Sequence, residues 1–168
     1  WICFSGNGEP TLHPRFAVAV DRVLAIRDAR VPAVRVAVLS NGCSAALPAI
    51  RAALRRLDAR IMKLDPGPPE RVNDAPHEAA RLAAAYRALE PVTVQATVVR
   101  GPEWDGSSPA SVAAWLPLLL AADPAVVQLC SLDRPPADPR ILNVPRERLL
   151  AMAAAIREAL PRSVVDVY

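Results

Sequence analysis

Ser5-Gly6-Asn7-Gly8-Glu9-Pro10-Thr11-Leu12-His13-Pro14 decides how the rest of this 168-residue chain is read. It follows a short apolar run and precedes the first helical pattern, so it is a strand-to-helix loop. Two glycines flanking Asn7 let the backbone turn sharply and come close to a ligand. Freed N–H and C=O groups at a strand end suit a zwitterion such as an amino-acid moiety. Glu9 suits an ammonium group, and Pro10 stiffens the loop. A helix that begins near Pro14 aims its positive end at the same rim. A bare Gly-x-Gly turn would be an ordinary connection, so weight must come from the rest of the chain.

Beyond this loop, short β-like runs alternate with longer helical ones. The pattern predicts strands over residues 1–5, 34–40, 59–65, 92–99, 125–132 and 163–168. It predicts helices over 14–29, 47–57, 76–89, 109–121 and 145–160, with Ser108 as an N-cap, Pro109 at the first helical position and Pro117 interrupting a hydrogen bond. Strict alternation argues for a parallel sheet built from right-handed crossovers, with chemistry at the C-terminal strand ends. A strand covered on both sides should be apolar on both faces. Here Thr93, Gln95 and Thr97 share one face and Val94, Ala96 and Val98 the other. Ile61, Lys63 and Asp65 oppose Met62 and Leu64, and Gln128 falls with Cys130. Polar residues recurring on one face of several parallel strands predict a barrel interior lined for a ligand. The expected fold is therefore α/β, a partial (β/α) barrel within a single domain over 1–168.

Composition sets bounds on this reading. Half the residues are apolar (52%) and 22% are charged, which is the balance of a globular chain. A net charge of +3 gives little support to a nucleic-acid partner. The longest apolar stretch is broken by Pro117, Asp123 and Pro124, so neither a membrane span nor a membrane partner is expected. With no leader pattern at the start, the expected compartment is the cytoplasm. Lys63 is the sole lysine beside many arginines, which singles it out. Cys3, Cys43 and Cys130 lie far apart and form no Cys-x-x-Cys knuckle, so no metal ligand is expected in this chain. Trp1 opens directly in an apolar run, which predicts an N-terminally incomplete part of a longer protein.

The loop at residues 5–14 resembles the Gly-Gly-Glu-Pro loop of radical S-adenosylmethionine (SAM) enzymes, in the form seen in a group related to wybutosine-synthesis proteins. The resemblance continues in order. Ser40-Asn41-Gly42 is similar to the family's Thr-Asn-Gly element. Lys63 and Asp65 end the next strand, where the family places charged residues. Arg100-Gly101-Pro102 with Asp105-Gly106-Ser107 looks like the loop after a later strand, and Ser131-Leu132-Asp133-Arg134-Pro135-Pro136 resembles a run of the same group. The resemblance implies a barrel of radical SAM type with its first strand missing. It implies SAM as cofactor and a [4Fe–4S] cluster whose Cys-x-x-x-Cys-x-x-Cys ligands this chain lacks. Gly6, Asn7, Gly8, Glu9 and Pro10 would hold the methionine end; Ser40, Asn41, Lys63 and Asp65 would contact the carboxylate, ribose or substrate; Gln95, Thr97 and Gln128 would line the lumen. The full protein would cleave SAM reductively to give a 5′-deoxyadenosyl radical. It would take electrons from a donor such as flavodoxin or ferredoxin and act on a small molecule, a peptide or a modified RNA. Two other classes fit the residues: a barrel lyase or aldolase with Lys63 as Schiff-base amine, and a non-catalytic binding module. His13 reads as a helix-cap element, His77 as a surface residue, Asp133 and Arg134 as an ion pair, and Arg51, Arg55, Arg56 and Arg60 as a solvated helix face.

Overall fold

A computed structural model describes residues 1–67 and 79–168. Six parallel strands form the main sheet: β1 (Ile2–Phe4), β2 (Val36–Ser40), β3 (Ala59–Lys63), β4 (Thr93–Thr97), β7 (Val126–Cys130) and β9 (Val164–Val167). Their spatial order is their chain order. A doubly wound sheet reverses strand order at its switch point; this one does not. Helices α1 (Phe16–Arg30), α2 (Pro48–Leu54), α3 (Ala79–Arg87), α4 (Pro109–Ala122) and α5 (Arg146–Ala159) are the crossovers among the described residues. His77 and the start of the helix expected over 76–89 lie outside those residues.

The sheet is covered on one face only. In β3, β4 and β7 buried and half-buried residues alternate. Met62, Val94, Ala96, Val127 and Leu129 point into the helical layer and are essentially inaccessible. Lys63, Gln95, Thr97, Gln128 and Cys130 point the other way and stay half-buried. That asymmetry is the signature of a barrel segment with helices outside and a lumen inside. The partial (β/α) barrel expected from the alternation is the fold found.

Local chemistry explains most boundaries. Ser108 caps α4 by accepting from the Ser111 amide at 3.2 Å, with Pro109 at the first helical position. Asp123, at φ +45°, ends that helix in the left-handed conformation. Pro14 does not start α1. A 3-10 turn over Pro10–Leu12 intervenes, capped by Glu9, and α1 begins at Phe16. His13 closes that turn, and its Nδ1 accepts from the Arg15 amide.

Three expectations change. Residues 99–107 and 142–143 are not plain loop: β5 (Val99–Gly101), β6 (Trp104–Asp105) and β8 (Leu142–Asn143) form a small antiparallel sheet beyond the tip of β4. Arg60 is not on a solvated helix face. It lies on β3, is 6% exposed, and donates to the carbonyls of Leu54, Arg55, Leu57 and Pro91. It thereby closes the C-terminal end of α2, where carbonyls lack intrahelical partners. Asp133 and Arg134 are both exposed and form no ion pair with each other.

Asp58 ties three elements together. Its carboxylate accepts from the Val36 amide at 2.7 Å and from Arg27 on α1 at 2.9 Å. The amide bond above all, joined by the arginine, holds its pKa below the ordinary carboxylate value against the opposing effect of burial. A depressed folded-state pKa means stability present above the unfolded value and lost as pH falls through the folded one. Asp58→Asn should therefore cost about 1 kcal/mol at neutral pH, discounted because the side chain is one-third exposed. The penalty should shrink below the carboxylate range. Urea unfolding of both proteins across that range checks it; parallel pH profiles would remove this role.

Candidate functional site

The loop after β1 is fixed by its own carboxylate. Glu9 Oε1 accepts from the Thr11 amide (3.0 Å), the Thr11 hydroxyl (2.6 Å) and the Ser40 hydroxyl (2.7 Å). Its Oε2 accepts from the Asn41 amide at 2.6 Å. Two of these donors belong to its own turn and two to the tip of β2. A carboxylate offers about two acceptor positions on each oxygen; three donors crowd Oε1 and one reaches Oε2, which keeps a position open. Expected as an ammonium partner, Glu9 also clasps two strand tips together.

The chain bends at Asn7 and Gly8, as the flanking glycines led one to expect, and does so without strain at Gly6 or Gly8. Neither has a positive φ. Beside each, the position of an added Cβ meets nothing within 4 Å, and Asn7 between them is exposed. The glycines leave open space at the rim rather than permit a strained turn.

The tip of β2 is a tight turn. Ser40 Oγ accepts from the Gly42 amide (3.0 Å), and Asn41 Oδ1 accepts from the Cys43 amide (3.0 Å). Gly42 sits at φ +78°, where an added Cβ would stand 2.1 Å from the Tyr86 hydroxyl. Tyr86, from α3, is fully buried. Its hydroxyl donates to Lys63 O at 2.7 Å and lies 3.3 Å from Asn41 O. Burial, aided by the charges of Asp65 and Glu9, pushes its pKa far up, so Tyr86 stays a neutral donor.

At the tip of β3, Lys63 Nζ donates to Thr97 Oγ1 at 2.5 Å and pairs with Asp65 Oδ1 at 3.1 Å. Asp65 Oδ1 also accepts from the Thr97 amide at 2.6 Å. Level with Lys63 and one level below Thr97, Gln95 Nε2 donates to Gln128 Oε1 at 3.2 Å, and Gln128 Nε2 reaches the Tyr168 hydroxyl at 3.4 Å. Cys130 Sγ lies 3.8 Å from Thr97 Oγ1.

The residues singled out in the sequence thus fall into three connected sets. Glu9, Ser40 and Asn41 form one; Lys63, Asp65 and Thr97 another; Gln95 and Gln128 the third. Tyr86 joins the first to the second through main-chain carbonyls, while Gly6, Asn7 and Gly8 overhang the rim without a partner. Sequence reasoning passed over Tyr86, Asp166 and Tyr168. The signal available was scarcity: the chain has two tyrosines, and both reach this network. Asp166 interrupts the valines of residues 164–167 on the same face as Gln128.

The cysteines do not assemble a cluster site. Cys3 lies on β1 and Cys130 on β7, four strand spacings or about 19 Å apart along the sheet. Among the described residues no group of three His, Cys, Asp or Glu side chains is placed to hold a metal ion. No helix among them is long and apolar enough to cross a membrane.

No family model matches this chain, and no curated protein matches it. Among solved structures it is similar to SuiB of Streptococcus suis, in a crystal structure with S-adenosylmethionine bound. The TM-score is 0.62 at 9% identity, over 96% of this chain. The chain spans 37% of the length of SuiB. At that identity the likeness establishes a shared fold: the partial barrel seen here is the architecture of a protein that binds SAM.

Two substitutions test the network. Tyr86→Phe strips the Lys63 carbonyl of its buried donor and should cost about 1–2 kcal/mol. Gly42→Ala places a methyl group against that hydroxyl at a positive φ and should cost at least about 2 kcal/mol. Chemical denaturation reads both; a neutral Gly42→Ala would mean the β2 turn is not held as described.

Proposed function

We propose that this chain binds S-adenosylmethionine across the tips of β1, β2 and β3 and forms part of the barrel of a radical SAM enzyme. The observation that carries this is the clasp made by Glu9. It fixes an open, glycine-flanked loop beside the main chain of Asn41, one strand away from the only lysine. The likeness of the loops to the radical SAM pattern and the shared fold with SAM-bound SuiB support it.

The roles follow from position. Main-chain groups of Gly6, Asn7 and Gly8 face open space and suit the ammonium and carboxylate of the methionine end. Lys63 has two of its three N–H directions engaged and directs the third into the lumen toward a carboxylate or ribose. Gln95, Thr97 and Gln128 line the floor and suit hydroxyl and adenine edges. Bound SAM supplies this class with an adenosyl group for hydrogen abstraction once an electron arrives. The [4Fe–4S] cluster of that reaction does not fit the residues described, since their cysteines stand apart. What is derived for this chain is therefore binding and orientation. An electron donor such as flavodoxin or ferredoxin belongs to the same proposal.

The lyase reading asks Lys63 for a nitrogen lone pair. Here that nitrogen donates to Thr97 and pairs with Asp65, so no observation favours a Schiff base.

Isothermal titration with SAM should give saturable binding to the folded chain, and SAM should raise its melting temperature by mass action. Glu9→Gln turns an amide N–H₂ toward at least one of the four donors and should weaken SAM by about tenfold or more. Lys63→Met should do the same and should also lower the melting temperature, because it leaves the buried Asp65 carboxylate without this cation. A well-folded chain that shows neither heat nor a thermal shift at millimolar SAM would end this reading.

A further inference from the structure

The lumen face carries a graded polar row that runs beyond the proposed SAM site. Strand register aligns Lys63 with Gln95, Gln95 with Gln128, and Gln128 with Asp166. One residue from each of β3, β4, β7 and β9 thus stands side by side on one face, cation at one end and carboxylate at the other. The row spans three strand spacings, about 14 Å along the sheet. The level below it is Ile61, Thr93, Val126 and Val164, mostly apolar. Polarity therefore largely stops below this row and continues above it at Asp65, Thr97 and Cys130.

The two ends are unequal. Lys63 is engaged by Thr97 and Asp65. Asp166 is half-buried on the lumen face, and among the described residues it has no hydrogen-bond donor and no cation. Its neighbours Val165 and Val167 face the helical layer, and their carbonyls accept from Arg157 and Arg146. Those guanidiniums serve the outer edge of β9 and make no ion pair with Asp166. A half-buried carboxylate without a partner carries a desolvation cost that a cationic ligand relieves. Beside it, the Tyr168 hydroxyl and the Gln128 amide supply further polar contacts.

We propose that Gln128, Asp166 and Tyr168 form a second subsite, at the β7–β9 end of the lumen, that takes the ammonium group of an amine-bearing substrate. This rests on the SAM reading for the opposite end and names the class of the second reactant. The Asn7 loop and Lys63 lie on the β1–β3 side. A molecule anchored there leaves the β7–β9 wall to its reaction partner. The primary ammonium donates to Asp166 and to Tyr168 Oη, and its chain lies along the two glutamines toward the adenosyl end.

The test uses n-butylamine and, as its neutral counterpart, n-butanol, each titrated into the ¹⁵N-labelled chain. Butylamine should shift the amides of β7 and β9 saturably, and Asp166→Asn should weaken it about tenfold or more. Butanol should give no saturable shift. Retained spectral dispersion certifies folding of the variant; should Asp166→Asn not fold, Tyr168→Phe is read instead and should weaken the amine several-fold. Equal amine affinity in variant and parent, or an equal response to butanol, overturns the subsite. Loss of SAM together with the amine in folded Asp166→Asn also overturns it, because the residue would then belong to the first site. Amine binding retained in a chain that never binds SAM would instead fail the proposed function and leave the subsite standing.

Discussion

The Glu9 carboxylate is the constraint on which the site's geometry depends. β1 has three residues and pairs on one side only, so pairing alone holds it weakly. Four hydrogen bonds to one carboxylate give the loop after it a fixed relation to β2. Charge-assisted bonds are roughly twice as strong as neutral ones, and a half-buried carboxylate without them would be destabilising. Position then passes along the rim by contact: Asn41 braces Cys43, Gly42 closes on Tyr86, and Tyr86 holds Lys63 O. Three strand tips share one frame, although their residues are tens of positions apart in the chain.

That frame needs a sheet with one dry face and one wet face. The helical layer buries Met62, Val94, Leu129 and their neighbours almost completely. The lumen side keeps lysine, glutamine, threonine and cysteine at matching levels. A second helical layer would force those polar groups into an apolar setting at a cost of roughly 1–3 kcal/mol each. The composition of the strands thus forbids the doubly wound alternative. Arg60 illustrates the rule from the other face. It enters the helical side and is tolerated because four carbonyls accept from it; burial still pulls its pKa down.

The period-two pattern made the sheet legible in the sequence, because alternation reports a backbone that extends whatever its neighbours do. Ser108-Pro109 announced α4 for an equally local reason. Local chemistry also misled. Pro14 suits a helix start, yet Glu9 caps a 3-10 turn first by accepting from the Thr11 amide, and the same carboxylate is held from another strand by Ser40. Arg60 read as the end of an arginine-rich helix because its acceptors, the last carbonyls of α2, become visible only in three dimensions. The β5–β6–β8 sheet was missed because its strands have two or three residues, too few for any period. Tyr86 was missed for a similar reason: its helix gives no hint that its hydroxyl ends beneath Gly42.

The same small sheet shows how the rim is shaped. The chain leaves β4 at Val98, and Ser131 at the end of β7 donates to Val98 O while accepting from the Val144 amide. Asp105 accepts from the amide and hydroxyl of Ser107 and pairs with Arg148 on α5. Trp104 packs where added Cβ atoms on Gly67, Gly101 and Gly106 would stand about 3 Å from its indole. Trp104 thus adds to what already favours glycine at Gly67, whose φ is +114°, and at Gly106, where the Pro66 and Val99 carbonyls lie 3.1 Å from an added Cβ. Glycine is costly in unfolded-state entropy, and a chain so rich in alanine would use alanine where room allowed. The indole instead sits close to the backbone after β3, at Gly67, and to that of its own hairpin at Gly101.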